Sequence, residues 1–239
     1  MVNESDYTRM LAEWPHEPGR LSARLVRDEA GIVRIQVRVE LGILQMELTG
    51  RPDGRPPIYE GLGSPGGAND PPVLRREDCR ALQHEAAMYA YRVLVCSSLE
   101  LHDRVVADSV RNLGVMDFIM ACASAPEDRE AARQLRVQLL VFRIRAQAAR
   151  IPADRRVPDA RALLEQGIEE VKQALKEADR SGDLERTPEV RLLRSMIDVL
   201  VPKLPSSQRH EMEMRLKAAL EVENYELAAI LSHELRQLF

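Results

Sequence analysis

The chain has 239 residues, a formal net charge of −4, 45% apolar residues and 30% charged residues. That balance fits a folded, solvated protein able to bury a sizeable core, as one domain or two modest ones. Its mild acidity excludes the global positive field of a dedicated nucleic-acid binder, although a local basic patch remains compatible with it.

Aromatic residues make up only 4%, so the core must come from Leu, Val, Ile, Ala and Met, a composition that favours helices. The only lysines are Lys172, Lys176, Lys203 and Lys217; every other basic residue is an arginine. Cys79, Cys96 and Cys122 are odd in number and widely spaced, which reads as buried free thiols in a reducing cytoplasm. The first ten residues carry Glu4, Asp6 and Arg9 with no apolar run behind them. Nowhere are there about 18 uninterrupted apolar residues, so neither secretion nor membrane spanning is expected.

The first 54 residues read as a small β unit. A strand over residues 21–27 is followed by the turn Asp28-Glu29-Ala30-Gly31 and a clean alternation. Val33, Ile35, Val37, Val39 and Leu41 face one way; Arg34, Gln36, Arg38 and Glu40 face the other. This is the pattern of an antiparallel strand buried on one side. At Gly42 the phase slips by one, so that Leu44, Met46 and Leu48 carry the apolar face, which implies a bulge, a bend or a new strand at Gly42-Ile43. The turn residues Gly50, Pro52, Asp53 and Gly54 close the unit. Residues 55–72 are dense in proline and glycine and read as a mobile linker without regular structure.

From residue 73 to 205 the pattern is helical. A helix over 76–98 has Leu82, Ala86, Tyr89, Val93 and Cys96 on one face. A second, over 103–123, has Val106, Val110 and Leu113 as its inner stripe. The third, over 127–150, is apolar on two sides: Leu135, Leu139, Phe142 and Ala146 on one, Val137, Val141 and Ile144 on the other. Two apolar faces suit a helix in the middle of a stack. Pro158 is placed to begin a fourth helix, with Ala160, Leu163, Leu164, Gly167, Ile168, Val171 and Leu175 inward, ending near Ser181-Gly182. Thr187-Pro188-Glu189 starts a fifth, with Leu192, Leu193, Met196, Ile197 and Leu200 inward. Two final helices are expected over 208–222 and 225–238.

The last segment, RLKAALEVENYELAAILSHELRQL over residues 215–238, resembles the UVR motif, an antiparallel helical hairpin of bacterial nucleotide-excision-repair proteins and of some components and partners of the Clp protease system. Leu216 and Leu220 stand at its first-helix positions, Glu223-Asn224 at the reversal, Tyr225 across the bend, and Leu231, Leu235 and Leu238 along the returning seam. Ser232-His233 replaces the motif's usual Arg-Asp, a surface-facing pair whose loss bears on partner contact rather than on the hairpin. The resemblance implies protein–protein contact. Residues 99–113 and 160–168 also resemble, more faintly, parts of tetratricopeptide units, which implies stacked helical hairpins. The whole layout is similar to a group of uncharacterised bacterial UVR-motif proteins.

Candidate chemistry is sparse. His16, His84, His102, His210 and His233 form no helix-spaced pair and none lies near a cysteine, so no metal site or cofactor is expected. His84-Glu85 has the residue types for acid–base work but reads as part of a solvated helix face. Cys79, near a helix start, has the position for mild activation but no base beside it. The run Gly61 to Gly67 lacks the Lys and Ser/Thr of a phosphate loop. Arg129, Arg133, Arg136, Arg143 and Arg150 share a narrow arc of the third long helix, a ridge suited to phosphate or an acidic partner, or a solvated strip paired with Glu127 and Glu130.

The expected fold is therefore α+β, mainly α: a small antiparallel β unit (1–54), a linker (55–72), a helical domain (73–205) and a UVR-like hairpin (206–239). The β unit should bury its apolar face on a helix, because an isolated ribbon is marginal in water. The expected function is that of a cytoplasmic, non-enzymatic adaptor that holds a protein partner or a second copy through the hairpin, with Leu216, Leu220, Tyr225, Leu231, Leu235 and Leu238 as contacts. A repair-associated or nucleic-acid-binding factor and an enzyme with a dispersed site are the alternatives.

Overall fold

A computed structural model describes residues 4–62, 72–152, 156–200, 206–221, 227 and 231–232. Helix α1 (Glu4–Glu13) leads into a three-stranded antiparallel sheet, β1 (Ser22–Arg27), β2 (Val33–Val39) and β3 (Gly42–Glu47), in the order β1-β2-β3. A helical turn, α2 (Ile58–Gly61), precedes the long helices α3 (Arg76–Ser98), α4 (His102–Cys122), α5 (Pro126–Ala149) and α6 (Arg156–Glu177). Helices α7 (Pro188–Leu200) and α8 (Ser206–Glu221) follow. The fold is α+β and mainly α. Among the described residues, no helix is long and apolar enough to cross a membrane.

The phase slip at Gly42 is a hairpin. Val39 pairs with Gly42, so Glu40 and Leu41 form a two-residue loop and β3 begins with the opposite phase. This register puts Ile35 opposite Met46 and opposite Leu25, and those pairs share one face. Ile35, Val37 and Met46 are buried there with Val93, Val95 and Cys96 of α3, Val105 of α4 and Ala146 of α5. The sheet thus rests on helices, as the one-sided alternation requires.

The opposite sheet face is not simply solvated. Arg24 donates to Gln36 Oε1 at 2.9 and 3.1 Å, and Gln36 Nε2 donates to Gln45 Oε1 at 3.1 Å, forming an amide ladder across all three strands. Trp14 covers it: its ring lies 4.2 Å from the Arg24 guanidinium, its Nε1 donates to Ser22 Oγ, and its carbonyl accepts from Arg38 Nε. A single aromatic ring placed before the first strand escapes any periodicity argument, so this cover was not anticipated.

From α3 to α7 the helices pack in chain order, each against the next, with α5 also touching α3 and α7. Helices α3, α5 and α7 therefore lie side by side in one layer, with α4 and α6 behind them. Pro126 occupies the first turn of α5, where its missing N–H costs nothing. The turns leaving α3 and α6 are alike: Glu100 (φ 57°) and Asp179 (φ 52°) take the left-handed conformation, and N–H groups of Leu101 and Arg180 bond back to the carbonyls of Cys96 and Leu175. Helix α6 ends there, at Glu177, before the Ser181-Gly182 punctuation.

Three expectations need correction. Residues 55–72 do not read uniformly as linker: Ile58–Gly61 is helical and docked, and only residues 63–71 lie outside the described ones. The inner stripe of α4 is rotated, because Val110 is 51% exposed while Val105, Ser109, Asn112, Leu113, Met116 and Ile119 are buried. Polar Asp108, Ser109 and Asn112 occupy interior positions, so a search for apolar spacing alone turned the helix the wrong way. Pro158 is the third residue of α6, not the first.

At Gly167, α6 meets Ile144 of α5 with no room for a side chain. A Cβ there would sit 2.7 Å from Ile144 Cγ2 and 2.9 Å from its Cδ1. Ile144 is 1% exposed and β-branched, so it has little room to yield. Gly167→Ala should lower stability by about 1–2 kcal/mol in a urea titration, overpacking outweighing the helix-propensity gain of about 1 kcal/mol. Pairing it with Ile144→Val should recover part of the loss.

Candidate functional site: an apolar trough beside a buried charge cluster

Along α3 the charged residues Glu85 and Arg92 fall on the same face as Leu82, Ala86, Tyr89, Val93 and Cys96, so folding carries them inside. Both are 0% exposed, and Asp108 of α4 is 2% exposed. Arg92 makes a two-pronged bond to Asp108, Nε to Oδ2 at 2.7 Å and Nη2 to Oδ1 at 2.8 Å. Its remaining donors reach the backbone carbonyls of Glu47 and Gly50, each at 2.8 Å. One guanidinium therefore ties α3, α4 and the end of β3 together through four of its five N–H bonds.

Two turns earlier on α3, Glu85 plays the complementary part. Its carboxylate accepts the backbone N–H of Ile58 at 2.6 Å and of Tyr59 at 3.3 Å, and pairs with Arg51 at 3.2 Å and with Arg111 of α4. Arg111 also grips Glu60 at 2.8 and 3.0 Å and lies 3.8 Å from the Tyr89 ring centroid. Tyr59 packs edge-on against Phe118, and its hydroxyl occupies the space that a side chain at position 114 would need. These contacts hold α2 in place. The reading of Glu85 as part of a solvated face is thus overturned; only His84 is exposed.

The opposite side of α3 opens onto solvent through three clefts. One of about 300 Å³ lies between β3 and α3, bounded by Leu44, Pro52, His84, Ala87 and Tyr91. A second of about 300 Å³ lies between α3 and α5 and includes Gln83, Ala87, Ala90, Tyr91, Leu94, Leu135, Gln138 and Phe142. A third of about 290 Å³, between α5 and α7, includes Gln138, Phe142, Arg145, Pro188, Glu189 and Leu192. Neighbours share Ala87 and Tyr91, then Gln138 and Phe142, so the three form one trough across α3, α5 and α7. Leu94, Leu135 and Leu192 stand along it 46%, 43% and 39% exposed. A wider depression of about 770 Å³ beside His102 is flanked by Arg104 and Arg150, which pair with Asp108 and Asp103.

The arginine ridge is largely neutralised. Arg133 pairs with Glu130, Arg136 with Asp117, Arg143 with Glu170 and Arg150 with Asp103, so three of the four partners come from the neighbouring helices rather than from α5 itself. Among the described residues, Arg129 reaches only the Ser124 carbonyl, at 3.5 Å. Of the hairpin residues, Leu216 is half-buried, Leu220 is 51% exposed and Leu231 is buried, while Tyr225, Leu235 and Leu238 lie outside the described residues. Among the described side chains of α8, Ala219 rather than Leu220 is buried.

Among the described residues, no group of His, Cys, Asp and Glu is arranged to hold a metal ion. The three thiols are buried and unpaired with one another. Burial, then the charges of Asp128 and Asp78, push the Cys79 thiol up, the reverse of activation. Burial pushes Cys96 up to about 11, with Asp108 adding to it.

Two measurements follow from this geometry. Arg92→Met leaves the buried Asp108 carboxylate only Arg104, at 3.4 Å, and should cost about 3 kcal/mol, whereas Arg92→Met with Asp108→Leu should cost less; chemical denaturation reads both. Because the Cys96 pKa is raised on folding, its contribution is intact below about pH 9 and is lost as pH climbs toward 11, on the order of 2–3 kcal/mol. A stability titration over that range should fall more steeply for the wild type than for Cys96→Ala. No family model, curated protein or solved structure matches the chain.

Proposed function

We propose that this chain is a non-enzymatic, cytoplasmic adaptor that captures a protein partner in the trough across α3, α5 and α7, with the UVR-like segment 206–239 as a second contact element. The observation that carries the reading is the exposure of Leu94, Leu135 and Leu192, each about two-fifths exposed, on α3, α5 and α7, the three helices of one layer. A soluble chain rarely leaves apolar side chains contiguous over that span unless something covers them. The ionisable groups near them are few, and the carboxylates at the rims, Asp53 and Glu189, are engaged by Arg51 and Arg180. That lining suits adhesion better than acid–base chemistry. For the hairpin, the support is the motif resemblance together with half-exposed Leu220 on α8.

A photo-crosslinking residue placed at Leu135 or Leu192 in the full chain, in its native cell, should crosslink to one protein species. The same residue at Gln166, exposed on α6, which lines none of the three clefts, should not. Equal capture at all three positions would remove the trough as the contact surface. Tyr225→Ala with Leu231→Glu tests the second element: unchanged oligomeric state and unchanged capture would remove the hairpin from the reading.

A further inference from the structure

We infer that β1 joins two copies of this chain edge to edge, Leu25 meeting the partner's Leu25 on a two-fold axis, so that the two sheets become one antiparallel sheet of six strands. The inference is independent of the adaptor reading above.

The Asp28 N–H donates to the Ile32 carbonyl at 3.0 Å, in the same register that pairs Ser22 with Arg38, so the even-numbered residues of β1 bond to β2. Ala23, Leu25 and Arg27 therefore point their N–H and C=O groups away from the sheet. Among the described residues, nothing bonds to those six groups. The other edge is closed at one end, because the outward N–H of Glu47 donates to the Pro52 carbonyl at 2.9 Å and the Glu47 carbonyl accepts from Arg92. Of the two edges, β1 alone is open along its whole length.

Edge strands are commonly guarded by outward charges, by proline or by a bulge. In β1 the two arginines are turned back onto their own sheet: Arg24 is held by Gln36 and Trp14, and Arg27 Nη1 donates to the Gly31 carbonyl at 2.8 Å. The strand has no proline, and its pairing with β2 runs from Ser22 to Arg27 without a bulge. Leu25 stands opposite fully buried Ile35 and on the same face, yet is itself 44% exposed. The helices thus stop short of β1 and leave its helix-facing side clear for the partner's strand.

The register selects a second copy as the occupant. With Leu25 opposite the partner's Leu25, Ala23 falls opposite the partner's Arg27, and all six open groups on each strand are used, in six hydrogen bonds. Every other antiparallel register of this strand with itself leaves some of them open. The side chains agree with it. Leucine meets leucine, alanine leaves space for arginine, and Arg24 meets the partner's Val26, so no charge stands directly opposite its like.

Sedimentation velocity on the full chain, on Leu25→Lys, on Leu25→Glu and on their equimolar mixture tests the pairing. The wild type should form a dimer whose share rises with concentration. Each charged variant sets like charges face to face and should dissociate at least about tenfold more readily, whereas the mixture should regain a heterodimer. Unchanged circular dichroism checks that both variants fold. Under mild oxidation Leu25→Cys should give a covalent dimer, because Cα atoms of such a pair lie about 5.5 Å apart, within disulfide reach. Ala23→Cys should not, since its counterpart stands about 14 Å farther along the strand. Cys79, Cys96 and Cys122 are buried and should stay out of the crosslink. A wild type that remains monomeric, a dimer indifferent to Leu25→Lys, a mixture that regains nothing, or equal crosslinking at positions 23 and 25 would overturn the inference.

Discussion

Arg92 locks the sheet to the helices. Its guanidinium holds a carboxylate on α4 and two main-chain oxygens at the exit of β3, in a site closed to water. A three-stranded ribbon has too little surface to stand alone, and its apolar face supplies adhesion without direction. Four hydrogen bonds from one planar group supply the direction. Tyr89, stacked between Arg92 at 4.9 Å and Arg111 at 3.8 Å, passes that order along the helix to the second carboxylate at Glu85.

The charges on the two helices alternate in opposite senses. Along α3 a carboxylate precedes a guanidinium, and along the antiparallel α4 Asp108 precedes Arg111, so opposite signs meet at both levels. Sliding α4 by a turn or more pulls each charge away from its partner inside a poorly solvated interface. Buried ion pairs contribute little net stability over apolar residues of the same shape, so this cluster acts mainly by penalising wrong arrangements. It also anchors α2 after the Pro56-Pro57 pair: Ile58 and Tyr59 give their amide protons to a carboxylate already fixed from the other side.

Much of this architecture was legible in the sequence. The alternation from Val33 to Val39, the phase slip at Gly42 and the apolar spacing of α3, α5 and α6 marked both layers, because period-two and period-3.6 patterns report burial directly. The double-faced pattern of α5 was legible too, and one of its two faces turns out to border open space at Leu135 and Phe142. What escaped were interior residues of the wrong polarity. Glu85, Arg92 and Asp108 sit at core spacing, yet a pattern built on hydrophobicity discards them, and their partners are 16 to 45 residues away. Charged residues falling on an otherwise apolar stripe were the available signal. The trough itself has no signature in a single helix; it exists only where three helices sit side by side.

Gly167 has a further consequence for that surface. With Ile144 seated against bare backbone on α6, α5 cannot roll about its axis without driving a branched side chain into main chain. The orientation of its outward residues is therefore decided before anything docks. A binding face preorganised in this way loses little conformational entropy on association, so more of the contact energy is retained as affinity. It also discriminates by shape, since a poorly matched ligand meets a wall that does not adapt.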